Sequence, residues 1–324
     1  MVEEVRERLY RIEVPLPNSP LKGLNSYVIK GDGRDLVIDT GFNRSACYEA
    51  MREGLAALRC DPEGTDFLIT HMHSDHAGLV GRLAGERSRV YFSRGDAWVF
   101  DKDRSVQPMV DYARMNGFPA DELTEALASH PGFKYRPERV PELTLIDDGF
   151  SLAIGGYHLR ALGTPGHTRG HLCLYDANRG ILISGDHILF DITPHIESWS
   201  YQVDSLRDYL GSLTKVYGLP VEIVLPGHRS LFCDLPGRID ALREHHRERA
   251  AELLAVLGSE RLSAYQIAGR MSWDIDCASW ELFPVTQKWF ATGETLAHLR
   301  YLEGEGQIRR NAGEGGFTFS AAGG

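Results

Sequence analysis

Apolar and polar positions fall into two rhythms along the chain. Through roughly its first two-thirds, short β-rich runs recur: LYRIEVPL, SYVIK, DLVIDTG, DFLIT, RVYF, SLAIG, YHLRALG, HLCLYD, GILISGD and EIVLPGH. Several are too apolar for a half-exposed strand and predict sheet buried on both faces. Between them, apolar residues three and four apart predict helices, as over 46–58 and 205–217. Strands interleaved with helices predict a layered α/β domain with sheet in the middle. Residues 93 to about 141 break the strand rhythm, and MVDYARMNGF and DELTEALASH read as two or three inserted helices. Such an insertion either shapes a substrate pocket or elaborates the surface.

Beyond Asp234-Leu235-Pro236-Gly237 the pattern turns helical: RIDALREHHRERAAELLAVLG, LSAYQIAGRM and ATGETLAHLRYLEGEGQIRR, then a Gly-rich turn and FTFS. This predicts a catalytic domain over 1–237 and a second domain over 238–324, with three helices and a short hairpin in the order of a winged-helix unit. The Gly/Ala-rich last dozen residues are expected to fray.

Composition narrows the classes. The 324 residues are 43% hydrophobic and 25% charged, ordinary for a folded soluble protein. The N-terminal MVEEVRERLYRIEV has no apolar stretch of signal-peptide length, and no apolar run approaches the roughly 20 residues of a membrane span. Five scattered cysteines, Cys47, Cys60, Cys173, Cys233 and Cys277, form no CxxC pair and read as free thiols in a reducing cytoplasm. The net charge of −10 argues against general affinity for nucleic acid or anionic membrane.

Costly polar clusters sit at the ends of the apolar runs: THMHSDH after DFLIT, TPGHTRGH after YHLRALG, GDHIL after GILIS, and PGHRS after EIVL. Strand ends are where layered α/β proteins build sites, so four loops are expected to converge on one rim. His71 and His73 alternate and point to one side of an extended segment, and Asp75 and His76 follow where the chain turns into a helix. Imidazole and carboxylate are metal ligands, and four from one loop exceed what a single catalytic metal takes, since it keeps an open position. Two adjacent metals would use them all, and His167, Asp186 and His228 supply further candidate ligands.

HMHSDH, TPGHTRGH, SGDH and PGH, in this order, resemble the metallo-β-lactamase fold superfamily over roughly residues 8 to 230. The resemblance implies a four-layer αβ/βα sandwich with the site at one edge. It implies that His71, His73 and His167 bind a first divalent metal, that Asp75, His76 and His228 bind a second, and that Asp186 bridges both. Asp39 in VIDTG matches a position that buttresses the metal-bound histidines from behind. The metals are expected to be zinc, with iron or manganese as alternatives. Two such cations about 3.5–4 Å apart pull the pKa of a bridging water from near 16 toward ~7, so that a hydroxide attacks the substrate, with Asp75 orienting it or shuttling its proton.

The full ligand set is similar to the thioesterase, lactonase and phosphodiesterase branches, the glyoxalase II-like side of the superfamily, rather than to true β-lactamases. The favoured reading is hydrolysis of a small-molecule ester, thioester or lactone. The alternative is a phosphodiesterase or endoribonuclease with the C-terminal unit, similar to the tail of a mitochondrial endoribonuclease, as RNA reader. Residues 238–324 carry 10 Lys+Arg against 12 Asp+Glu, which favours the small molecule. His187, His195, Arg169 and Tyr201 are candidate substrate contacts, with Arg229 and Tyr112 behind them. His171 reads as packing or as support for the ligands. His130, His245, His246 and His298 read as solvated, and Trp273, Trp280 and Trp289 as core of the C-terminal unit. Oligomeric state is open, a homodimer included.

Overall fold

The computed structural model describes residues 1–17, 19–101 and 105–322. Residues 102–104, within the inserted segment, and 323–324, at the C-terminal end, lie outside the described residues. The chain forms two compact units, neither continuous in sequence. The first comprises Met1–Lys102, Pro131–Pro194 and Ser212–Ile239, and the second Asp103–His130, His195–Gly211 and Asp240–Gly324. The boundary does not follow a linear cut near residue 237, because part of the inserted segment and residues 195–211 cluster with the C-terminal stretch.

The first unit is built on two sheets. Strands β1 (Val2–Arg6), β2 (Leu9–Pro15), β3 (Gly23–Ile29), β4 (Asp35–Ile38), β5 (Thr65–Ile69), β6 (Val90–Ser93) and β7 (Leu143–Ile146) form a seven-stranded sheet in chain order. Pairing is antiparallel from β1 to β4 and parallel from β4 to β7. The second sheet runs in the order β12 (Ile223–Pro226), β11 (Ile181–Gly185), β10 (Leu172–Asp176), β9 (Tyr157–Gly163), β8 (Ser151–Ile154). Only its β11–β12 pair is parallel.

The sheets pack face to face. Tyr27, Ile38, Leu68 and Ile146 of the first share one buried cluster with Leu159, Leu172, Ile183 and Leu225 of the second. Residues one position away face outward by the strand alternation, and they too are buried, as the all-apolar runs require. Outside the first sheet, Val28, Val37 and Phe67 meet Cys47 and Met51 of α1 (Ser45–Ala57), Ala77 of α2 (Ser74–Ala77) and Val80 of α3 (Val80–Leu83). Outside the second, Leu162, Cys173, Leu182 and Val224 are buried, and α7 (Ser205–Tyr217) sends Ser212 Oγ to Pro165 O and Lys215 Nζ to Gly163 O. Helices thus cover both outer faces, giving the expected four layers.

The inserted segment holds α4 (Gln107–Met115), α5 (Leu123–Ser129) and α6 (Pro131–Lys134). The second unit contains α4 and α5, together with most of α8 (Leu235–Leu257), then α9 (Ala264–Ala268), α10 (Val285–Gly304) and the hairpin β13 (Ile308–Gly313) and β14 (Gly316–Ala321). Ser263 and Gln266 close a capping box on α9. Trp289 is 1% exposed and stacks on Trp199 at 3.7 Å, with Phe118 and Ala126 in the same cluster.

Two residues of this unit correct the reading of solvated histidines. His246 and His298 are buried, with His246 Nδ1 3.3 Å from His298 Nε2. On α8 the positions Leu242, His246, Arg249, Leu253 and Leu257 recur four, three, four and four apart and form the buried stripe, so His246 belongs to the inner face. His130 is half-buried, its ring 5.2 Å from Phe290.

Candidate metal centre

Every predicted ligand lies in the first unit, at or just beyond a strand's carboxyl end. His71 and His73 follow β5, Asp75 and His76 open α2, His167 lies in the β9–β10 loop, Asp186 follows β11, and His228 follows β12. The structure brings all seven together. Ligand atoms of His71, His73 and His167 lie within 4.8 Å of one another, as do those of His71, His76 and Asp186, and those of Asp75, His76 and His228. The Asp186 carboxylate faces both sides, with Oδ1 3.4 Å from His76 Nε2, and Oδ2 3.4 Å from His228 Nε2 and 3.7 Å from His167 Nε2. His228 Nε2 is also 3.4 Å from Asp75 Oδ2.

The imidazoles are anchored from behind. His76 Nδ1–H donates to Asp39 Oδ2 at 2.7 Å, and His228 Nδ1–H donates to the carbonyl of Gly23 at 2.7 Å. The Thr70 hydroxyl donates to Asp39 Oδ2 at 2.8 Å, so it accepts from His71 Nδ1–H at 3.0 Å. In each ring Nδ1 therefore carries a proton and Nε2 turns inward, where its lone pair is open to a cation once the ring is neutral. Asp39 also accepts the Thr70 backbone N–H at 2.8 Å and sits at φ 63°, a left-handed conformation that aspartate tolerates better than most side chains.

Atoms at the centre are placed for a cation. His76 Nε2, His228 Nε2 and Asp186 Oδ1 are buried and make no hydrogen bond among the described residues. Buried polar atoms left in that state cost stability unless something else satisfies them. Converging lone pairs and carboxylate oxygens, 3.4–3.7 Å apart, fit a metal. A Cβ added to Gly227 would meet Asp186 Oδ1 at 2.5 Å and His76 Cε1 at 2.8 Å, so only glycine leaves the pair in place.

Protonation follows from the charge balance in metal-free protein. Burial works against a charged His228, but Asp186 and Asp75 override it and hold the ring up at about 10. His76 is likewise lowered by burial and raised well above its ordinary value by Asp186, Asp39 and Asp75. Burial opposes ionisation of Asp75, yet His76 and His228 pull it down to about 2. The carboxylates demand positive charge at the centre, and protons supply it when a cation does not.

His171 supports the ligands. Its Nε2 accepts the Asp186 backbone N–H at 3.1 Å, which leaves Nδ1–H to donate to Thr164 Oγ1 at 2.8 Å. A Cβ on Gly185 would come within 2.7 Å of that Nε2.

The candidate substrate contacts are dispersed. His187 is fully buried, its ring 6.0 Å from that of His171, and burial pushes it down to about 3. It is therefore an interior residue rather than one presented at the surface. Arg169, two residues after His167, is exposed and makes no ion pair among the described residues. Arg229 donates to Pro20 O at 3.0 Å, and its Nε lies 4.0 Å from Asp191. His195, Tyr201 and Tyr112 belong to the second unit. His195 stands between Glu197 (3.4 Å) and Glu294 (3.6 Å), Tyr201 lies under Arg310 at 3.5 Å, and Tyr112 is half-buried. Sequence reasoning missed Asp96, a fully buried carboxylate after β6 that contacts two of the ligand loops. The only signal for it was an acid placed directly beyond an all-apolar strand.

The fold and the cluster together define a metallo-hydrolase class. Residues 21–228 match the family model of the metallo-beta-lactamase superfamily, and the chain belongs to that superfamily. Residues 282–322 match the metallo-beta-lactamase-like C-terminal domain. Over 320 residues the chain is 26% identical to the probable metallo-hydrolase YqjP of Bacillus subtilis, covering 93% of this chain and 94% of that one. It is 28% identical over 235 residues to the acyl-coenzyme A thioesterase MBLAC2 of Gallus gallus, covering 64% of this chain and 73% of the relative. The beta-lactamase-like protein 2 homolog of Caenorhabditis elegans is spanned over 66% of its own length. The metallo-beta-lactamase family protein TTHA1429 of Thermus thermophilus superposes with a TM-score of 0.83 at 29% identity, covering 98% of this chain and 100% of that one.

Proposed function

We propose that the chain is a dinuclear hydrolase of small-molecule carbonyl esters, with thioesters foremost and oxygen esters and lactones in the same class. His71, His73 and His167 would hold one cation and Asp75, His76 and His228 the other, with the Asp186 carboxylate turned toward both groups. The observation that carries this reading is the Asp186 carboxylate turned toward histidines of both triads within 3.4–3.7 Å. Zinc, with iron or manganese as alternatives, suits the donor set. When bound, two such cations ionise water at neutral pH and polarise the scissile carbonyl.

The chain's own residues do the rest. Asp39, Thr70 and Gly23 fix the imidazole tautomers so that the Nε2 atoms of His71, His76 and His228 point inward. Asp75, held ionised beside His228, is the group placed to take a proton at a carboxylate oxygen and return it to the departing thiol or alcohol. Arg169 offers an exposed guanidinium to an anionic part of the substrate.

The thioester preference draws on the chicken relative named as an acyl-coenzyme A thioesterase. The helices and hairpin of the C-terminal stretch are read as winged-helix-like. Its excess of acidic over basic residues, 12 against 10, disfavours nucleic acid as the substrate.

The test is a panel of acyl thioesters, lactones, aryl esters, phosphodiesters and short RNA on metal-loaded protein. Turnover of thioesters or esters that vanishes on Asp186→Asn, with the fold intact, is the expected outcome. Cleavage of RNA with steep salt dependence, and no ester turnover, would reverse the assignment.

A further inference from the structure

Asp96 lies in the turn after β6 and is fully buried. Its Oδ2 accepts the Met72 backbone N–H at 3.1 Å and the Thr168 hydroxyl at 2.6 Å, and its Oδ1 accepts the Gly170 N–H at 2.6 Å. Met72 separates His71 from His73, while Thr168 and Gly170 follow His167 by one and three residues. One carboxylate therefore fastens the two loops that carry the whole His71, His73 and His167 triad, and no partner of Asp96 belongs to the Asp75, His76 and His228 triad.

The fit is tight on both sides of the contact. A Cβ on Gly170 would fall 2.4 Å from Asp96 N and 2.6 Å from Ser93 Oγ, and a Cβ on Gly95 would fall 2.8 Å from Gly170 Cα. Glycines at 95 and 170 let the turn and the His167 loop approach until the carboxylate reaches across. An ionised carboxylate suits the task because it only accepts, and all three of its partners donate.

We infer that Asp96 is a positioning residue for the His71, His73 and His167 triad. It sets the spacing between the two loops, and through that spacing the affinity of this triad for its cation. The inference rests on the dinuclear reading above. An asparagine at 96 would turn an amide N–H toward at least one backbone donor, so the two loops would no longer be held by the same group.

The experiment uses the full chain in two backgrounds that isolate the triads. His228→Ala leaves His71, His73 and His167 complete, and His167→Ala leaves Asp75, His76 and His228 complete. Cobalt(II) affinity is measured in each by calorimetry and by the visible absorption of the bound ion, with and without Asp96→Asn. The expected result is a loss of about 10- to 100-fold in the His228→Ala background and less than about 3-fold in the His167→Ala background. Thr168→Val, which removes a single hydrogen bond, should give a smaller loss with the same selectivity, and it stands in if Asp96→Asn fails to fold. Equal losses in both backgrounds, or none in either, would overturn the inference while leaving the dinuclear reading in place. Parent protein that binds no cation would overturn both.

Discussion

At the scale of single residues, Asp39 shows how a side chain that contacts no substrate can govern the chemistry. It takes His76 Nδ1–H on one oxygen and the Thr70 backbone N–H on the other. Asp39→Asn keeps size and tolerates the same backbone conformation, but it places an amide N–H where His76 or Thr70 now donates. His76 then carries its proton on Nε2, the atom that faces Asp186. The expected result is a loss of about 10- to 100-fold in cation affinity at the His76 triad, read by metal titration, with unfolding little changed. The clustering of the seven candidate ligands was legible in the sequence, because THMHSDH, TPGHTRGH, SGDH and PGH each follow an apolar run and their residue types and order carry the resemblance. Asp39 was readable only through the resemblance. Asp96 was not, since its meaning lies in three donors that come from residues 72, 168 and 170 and meet only in the fold.

Among elements, the buried strands were the most legible, because runs such as DLVI, DFLI and VYFS have no polar face to offer solvent. Helix α8 was legible as a helix, but the burial of His246 was misread, since the charge density of REHHRER masked a buried stripe through Leu242, His246, Arg249 and Leu253. The same unit carries a pH-sensitive pairing. His195, 31% exposed, is lowered by burial but raised to about 9 by Glu197 and Glu294, and Glu294 on α10 is held at about 2. A histidine raised above its unfolded value near 6.5 contributes stability that is complete below pH 6.5 and is lost as pH climbs through about 9. That contribution is about 1–2 kcal/mol after allowance for solvent screening. The melting temperature of the second unit should therefore fall between pH 6.5 and 9, and His195→Gln should flatten that slope. An unchanged slope in the variant would show that the pairing contributes nothing.

For the whole molecule, the division into two units was only partly readable, because residues 103–130 and 195–211 join the C-terminal stretch through packing that no linear pattern announces. No helix among the described residues is long and apolar enough to cross a membrane. The first unit gathers two carboxylates and five histidines whose donor atoms suit cations, so metal should stabilise it by mass action, by about 2.7 kcal/mol at a hundredfold excess over the dissociation constant. The most direct test is the number of divalent ions that the full chain binds at equilibrium, by dialysis and elemental analysis after expression in metal-replete medium. The account predicts close to two per chain, falling to one in His167→Ala and in His228→Ala. A chain that binds none, or whose binding ignores both substitutions, would contradict it.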